Sequence, residues 1–132
     1  MLRKILATIA VTAALIAGAL APAGPAQAAY SDCNNGHVCL FMGIGGSGNL
    51  YQWTGVYLYD RGGLTLAGEI NNGSTSWRNR SNVPMRMFDQ SNCAGPYFVL
   101  QPGNQLTAGA AWNNRVSSME PHGDSQPGNC NA

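Results

Sequence analysis

Charge is scarce in this sequence. Asp, Glu, Lys and Arg make up 10% of its 132 residues, and the one Lys is Lys4. Beyond residue 28, Arg61, Arg78, Arg80, Arg86 and Arg115 stand against Asp32, Asp60, Glu69, Asp89, Glu120 and Asp124. Five cations against six acids leave that stretch a net charge of −1. Binding through nucleic-acid phosphate needs a concentrated basic surface. The local cluster of Arg78, Arg80 and Arg86 reads instead as the solvated face of a strand, and no nucleic-acid partner is expected. Histidine is rarer still, with His37 and His122 only. The carboxylates are scattered too, so no motif joins a nucleophile, a base and an orienting group, and an enzyme is not expected. Apolar residues never recur every three or four positions over a helix's length. Past Leu20 no apolar run is long enough to span a bilayer.

The start of the chain has a different character. Met1-Leu2-Arg3-Lys4 is basic, Ile5 to Leu20 is apolar, and Ala26-Gln27-Ala28 supplies a small-x-small cleavage pattern. That order is a secretory signal peptide over 1–28, with a single domain over 29–132. A secreted, extracellular protein is expected, with no membrane contact once the leader is removed. All four Cys (Cys33, Cys39, Cys93 and Cys130) follow the cleavage point. An oxidising compartment makes disulfides the default, and four Cys allow three pairings. The preferred one closes a local loop with Cys33–Cys39 and ties back the tail with Cys93–Cys130.

Short apolar runs broken by Gly, Pro, Asn and Ser predict an all-β sandwich. The expected strands are Val38–Met42, Asn49–Trp53, Val56–Tyr59, Thr75–Asn79, Pro84–Phe88, Tyr97–Gln101 and Arg115–Glu120. Gly43 to Gly48 opens no helix and has no Lys after it, so it predicts a hairpin or bulge rather than a phosphate cradle. Leu64–Gly68 and Gln105–Ala111 each predict a short helical turn.

Two copies of one hexapeptide organise the rest: Asn71-Asn72-Gly73-Ser74-Thr75-Ser76 and Asn113-Asn114-Arg115-Val116-Ser117-Ser118. Asn carbonyls and Ser/Thr hydroxyls are hard oxygen donors suited to calcium, and the same residues favour turns with left-handed φ. The copies belong to a longer repeat. Phe41 and Phe88 are 47 residues apart, as are Gly48 and Gly95, each pair framing an aromatic-x6-Gly pattern. The Asn-Asn pairs are offset by 42, so the first unit carries five extra residues, placed at the loop-like Tyr59-Asp60-Arg61-Gly62-Gly63. Two units too small to bury their own apolar faces must pack together.

An aromatic-x6-Gly hairpin followed by Asn-Asn-x-x-Ser/Thr-Ser, used twice, resembles the βγ-crystallin domain. With the leader and the opening Cys33-x5-Cys39-Leu40-Phe41, the chain resembles the secreted peptidase inhibitors of the streptomycete metalloproteinase-inhibitor type. The resemblance implies an all-β, βγ-crystallin-like sandwich of two Greek-key motifs. It also implies calcium, with Asn71, Asn72 and Thr75 from one copy, Asn113, Asn114 and Ser117 from the other, and carbonyls of Gly73 and Arg115 as ligands. Both copies carry neutral Asn, so any calcium site would be weak. Where the family has an aromatic two before the hairpin Gly, this chain has Gly46 and Cys93.

The same resemblance implies an inhibitor of an extracellular protease of the metalloproteinase type, acting through a rigid, substrate-like loop; a monomer is expected. The reactive loop is not assigned. Cys93 has no second Cys nearby to close one, and only Cys33–Cys39 encloses a short segment, Asn34 to Val38. Two other readings share the scaffold. One is a weak calcium-binding or structural module. The other is a secreted toxin or cell-wall-binding protein using an exposed Trp53, Tyr57 or Trp77.

Overall fold

The computed structural model describes residues 28–123 and 130. The leader expected over 1–28 lies outside them except for Ala28, and so does Asp124. Eight strands and one short helix follow in order: β1 (His37–Phe41), β2 (Leu50–Thr54), α1 (Gly55–Arg61), β3 (Leu64–Thr65), β4 (Ser76–Asn79), β5 (Met85–Gln90), β6 (Ala94–Leu100), β7 (Gln105–Thr107) and β8 (Ser118–Pro121). They form two four-stranded sheets, β2-β1-β4-β7 and β3-β8-β5-β6, antiparallel throughout.

The connectivity is that of two interlocked Greek keys. The first half supplies β1, β2 and β4 to one sheet and sends its third strand, β3, to pair with β8 in the other. The second half returns the gesture, with β7 pairing β4. Neither half can close its sheet alone, so the repeat seen in sequence folds as one cooperative body.

Alternation along β1 shows how the core is divided. Val38 and Leu40 point into the space between the sheets, beside Leu58, Trp77, Met85, Met87, Leu100, Val116 and Met119. Cys39 and Phe41 point the other way, into a second cluster with Cys33 that is covered by Ala28, Tyr30 and Leu50. From Val38 to Phe41 the strand is therefore buried on both faces and reads as continuously apolar. Each fully buried large side chain contributes on the order of 1.5–3 kcal/mol.

The Gly43–Gly48 segment closes the β1–β2 hairpin, as expected. Gly46 sits at φ +82, and a Cβ there would lie 2.7 Å from the Tyr30 ring. The space around an aromatic at that position is thus taken by Tyr30, which reaches in from upstream and stacks edge-on against Phe41 at 5.4 Å.

Three local expectations are corrected. Val56–Tyr59 is helix, not strand. Thr54 caps it by accepting the Tyr57 N–H at 3.1 Å, and Gly62 ends it in the left-handed region at φ 69. Only Gly55 and Leu58 of this helix are buried, so the Tyr57-Leu58-Tyr59 alternation came from one inward residue on a helix rather than from a strand's two faces. This helix also absorbs the extra length placed in a loop at Tyr59 to Gly63. Leu64–Gly68 opens as strand β3, with a 3-10 turn only at Gly68–Ile70. Gln105–Ala111 opens as strand β7. Both strands are decided by partners distant in sequence, which local propensity cannot see.

Candidate functional site

The two hexapeptides bridge β3 to β4 and β7 to β8, and the strand exchange brings them side by side. Asn72 and Asn114, their second residues, sit in the left-handed region at φ 56 and φ 55, a conformation that Asn tolerates better than most residues. Their contacts are reciprocal. The Asn72 N–H donates to the Val116 carbonyl at 3.0 Å, and the Asn114 N–H donates to the Ser74 carbonyl at 3.1 Å. The Ser117 hydroxyl donates to Asn72 Oδ1 at 2.6 Å, and the Thr75 hydroxyl donates to Asn114 Oδ1 at 3.2 Å. Four of the six expected oxygen donors are thus brought together in a two-fold arrangement.

The two leading Asn residues are placed differently. Asn71 Oδ1 is buried and has no hydrogen-bond partner, whereas Asn113 is exposed. Electrostatics at the pair are unfavourable for a cation. Neither hexapeptide holds a carboxylate, and the second carries Arg115, whose side chain donates to the Ala111 carbonyl just ahead of it at 2.8 Å. Arg115 is paired to Asp89 of β5. That hydrogen bond, with the charge behind it, raises the Arg115 pKa further.

Two segments stand out as loops that a disulfide holds. Cys33 and Cys39 are joined, enclosing Asn34 to Val38, and Cys93 in the β5–β6 turn is joined to Cys130, beyond β8. In the first loop Asn34, Asn35 and Gly36 are exposed, but the backbone is already committed. The Gly36 N–H donates to the Arg80 carbonyl at 2.9 Å, and the Gly36 carbonyl accepts from Gly55 at 2.8 Å. His37 turns its Nδ1 to the Asn35 carbonyl at 2.9 Å.

The second is the tip of the β5–β6 hairpin, Ser91 to Tyr97, where every residue but the half-buried Cys93 is exposed. Its base is fixed from several sides. The Asn92 N–H donates to Thr65 Oγ1 at 3.0 Å and the Cys93 N–H to Ser118 Oγ at 2.9 Å, while the Ser118 hydroxyl donates to the Gln90 carbonyl. Asn92, Cys93 and Gly95 all have positive φ. Ser118, last residue of the second hexapeptide, thus braces this hairpin rather than the paired turns, a role its sequence context did not reveal.

Sequence reasoning also missed Glu120. It lies buried on β8 in an ion pair with Arg86 at 2.7 Å. Burial raises its carboxyl pKa, against the opposing pull of Arg86 and His122. Of the aromatics considered as binding residues, Trp77 is core, 2% exposed, with its indole N–H on Ser74 Oγ at 2.8 Å. With Phe98, Leu106 and Trp112 it lines an apolar cleft of about 230 Å³. Trp53 is half-buried and Tyr57 exposed.

With this geometry in view, the family match is informative. The model of peptidase inhibitor family I36 matches residues 26–100, more than half of the sequence. The chain belongs to peptidase inhibitor family I36. Among curated proteins none matches it. Solved structures agree on the fold. A structure from work on the evolution of the eye-lens βγ-crystallin domain aligns with TM-score 0.54 at 19% identity, covering 75% of this chain and 92% of that one. A βγ-crystallin domain from Clostridium beijerinckii aligns with TM-score 0.52 at 17% identity, over 64% and 94%. The N-terminal domain of Protein S gives 0.51 at 18%, over 64% and 93%. The family I36 match ends at Leu100, so it contains the first hexapeptide and the β5–β6 hairpin but not the second hexapeptide.

Proposed function

We propose that the chain is a secreted inhibitor of an extracellular metallopeptidase, and that it acts through the β5–β6 hairpin tip, Ser91 to Tyr97. The observation that carries the reading is the combination of exposure and restraint at this tip. A peptide that is ordered before it enters a protease cleft loses little entropy on binding. Here a disulfide, two backbone N–H bonds to side chains of β3 and β8, and the flanking strands supply that order. The Cys33–Cys39 loop is less suited, because the hydrogen-bonding groups of Gly36 are consumed within the fold. The metallopeptidase class follows the resemblance of the opening segment to the streptomycete inhibitors. The test is a panel of secreted metallo-, serine and cysteine peptidases titrated with the purified protein. Ala94→Glu, at an exposed position, should weaken inhibition by at least a hundredfold with an unchanged melting temperature. Asn35→Asp in the other loop should leave it unaltered. Equal inhibition by the parent and the Ala94→Glu variant would refute the hairpin assignment.

A second reading, weak calcium binding, is favoured by the reciprocal hexapeptides and the orphaned Asn71 Oδ1. The donors fit in kind, since Asn72, Thr75, Asn114 and Ser117 offer hard oxygens. They fit poorly in charge, with no carboxylate present and Arg115 adjacent. A dissociation constant near the weak extracellular end of the range, ~10⁻³ M, is expected.

A further inference from the structure

We propose that the outer edge of β6 receives an extended segment of the inhibited peptidase as an added strand, with one apolar side chain of that segment seated in the cleft lined by Trp77, Phe98 and Trp112. The identity of the partner rests on the hairpin tip being the inhibitory element. The tip runs directly into β6, and Tyr97 belongs to both, so a protein that holds the tip also lies against this edge.

Among the described residues β6 ends its sheet, with β5 as its one neighbour. The ladder fixes which of its backbone groups are left over, because opposed residues of an antiparallel pair alternate between exchanging hydrogen bonds and not exchanging them. The His122 N–H donates to the Pro84 carbonyl at 2.7 Å, which sets the phase. Arg86 and Phe88 turn their backbone groups to β8, and Met85 and Met87 turn theirs to β6. There Leu100 and Phe98 answer them. The N–H and C=O groups of Tyr97 and Val99 therefore face outward, and no turn or loop among the described residues takes them up. Such an unpaired row is a template for another strand. The devices that blunt an edge stand only at its start, where Pro96 lacks an N–H and the register shifts between Phe88 and Gln90. No residue of β6 is charged.

The cleft supplies the side-chain half of the recognition. The Phe98 ring lies 4.9 Å from Trp77 and 4.8 Å from Trp112, on the opposite face of β6 from Tyr97. Leu106 and Thr107 of β7, the edge strand of the facing sheet, complete the wall, so the cleft lies between the two edge strands. A strand added to β6 puts the residue opposite Phe98 on the same face as Phe98, beside this cleft. No charged side chain lines it, which selects an aliphatic or aromatic residue at that place. Main-chain pairing for affinity and a pocket for alternate side chains are the two parts of recognition by strand addition.

The first test needs no variant. The ¹⁵N-labelled protein is titrated with the blocked peptide acetyl-Thr-Thr-Leu-Thr-Thr-amide, and amide exchange is read by NMR. At saturation the Tyr97 and Val99 amides should exchange at least about tenfold more slowly, with those of Phe98 and Leu100 unaltered. Asp in place of the peptide's Leu should weaken binding at least about tenfold. Unchanged exchange at Tyr97 and Val99, protection at Gln105 and Thr107 of β7 instead, or protection on concentrating the protein without peptide, which would make a second copy the occupant, would each overturn the proposal. The second test uses the peptidase that the protein inhibits. Val99→Pro removes one outward N–H, a place where an edge strand accepts Pro, and should weaken inhibition at least about tenfold while circular dichroism stays native. Loss of inhibition in Ala94→Glu but not in folded Val99→Pro would sink the edge and spare the tip. The converse would sink the tip and keep the edge, and a panel with no inhibited peptidase would sink the proposed function and leave the edge to be decided by the peptide.

Discussion

Replacing Cys93 and Cys130 together by Ala tests the stability and the proposed inhibitory surface in one variant. The pair is 37 residues apart in sequence, against 6 for Cys33–Cys39. In the chain-entropy treatment a closed loop of n residues restricts the unfolded state by 2.1 + 1.5R ln n cal/mol/K. This gives about 3.9 kcal/mol at 25 °C for the longer loop and about 2.4 kcal/mol for the shorter. At ~4–8 °C per kcal/mol for a domain of this size, the melting temperature should fall by roughly 15–30 °C without Cys93–Cys130 and roughly 10–19 °C without Cys33–Cys39. Ala is used because a Ser hydroxyl at the buried Cys33, Cys39 or Cys130 would need a partner. Thermal melts by circular dichroism give the stability. Inhibition assayed at 10 °C, where the variant's spectrum remains native, gives the function. Untethering Cys93 releases the hairpin tip and should raise the inhibition constant by at least tenfold beyond any loss of folded protein. A folded Cys93→Ala/Cys130→Ala variant that inhibits like the parent would refute the rigid-hairpin argument. A larger stability loss from the Cys33–Cys39 pair would refute the loop-entropy argument.

Trp77→Ala should cost about 3–5 kcal/mol in urea unfolding, because it empties the centre of the core and frees Ser74. Ser117→Ala and Asn72→Ala, combined in a double-mutant cycle, should show a coupling of about 0.5–1.5 kcal/mol, the net worth of one hydrogen bond; zero coupling would mean the reciprocal turns are independent. Calcium at 10 mM should raise the melting temperature through about 1.4 kcal/mol if the dissociation constant is ~1 mM, with Asn114→Ala removing the effect and Asn114→Asp enlarging it. For Glu120, burial raises the folded-state pKa above the unfolded value, so the stabilisation present below the unfolded pKa is lost as pH rises through the folded one. Glu120→Gln should flatten the stability–pH curve over that interval, as read by urea midpoints at closely spaced pH, and a curve of unchanged slope would sink the assignment.

The sequence by itself determined the architecture, because that information is local and repeated. Two aromatic-x6-Gly frames and two Asn-Asn-x-x-Ser/Thr-Ser turns specify two matching hairpin-and-turn units. Asn72 and Asn114 adopt the left-handed φ their side chains allow. Gly43 to Gly48 turned the chain where its glycines permitted. Only the tertiary structure decided what depends on partners far along the chain. Leu64–Thr65 and Gln105–Thr107 are strands because β8 and β4 offer them edges, and no residue within either segment announces that. Val56–Tyr59 became a helix because Thr54 and Gly62 cap it and one inward Leu58 satisfies the core, although its alternation matched a strand equally well. The pairing of Ser117 with Asn72, the bracing of Cys93 by Ser118, and the burial of Glu120 against Arg86 all cross from one Greek key or one strand to another. The first follows from the exchange of third strands between the two halves and the other two from the pairing of β5 with β8, and both set distances that sequence spacing does not encode.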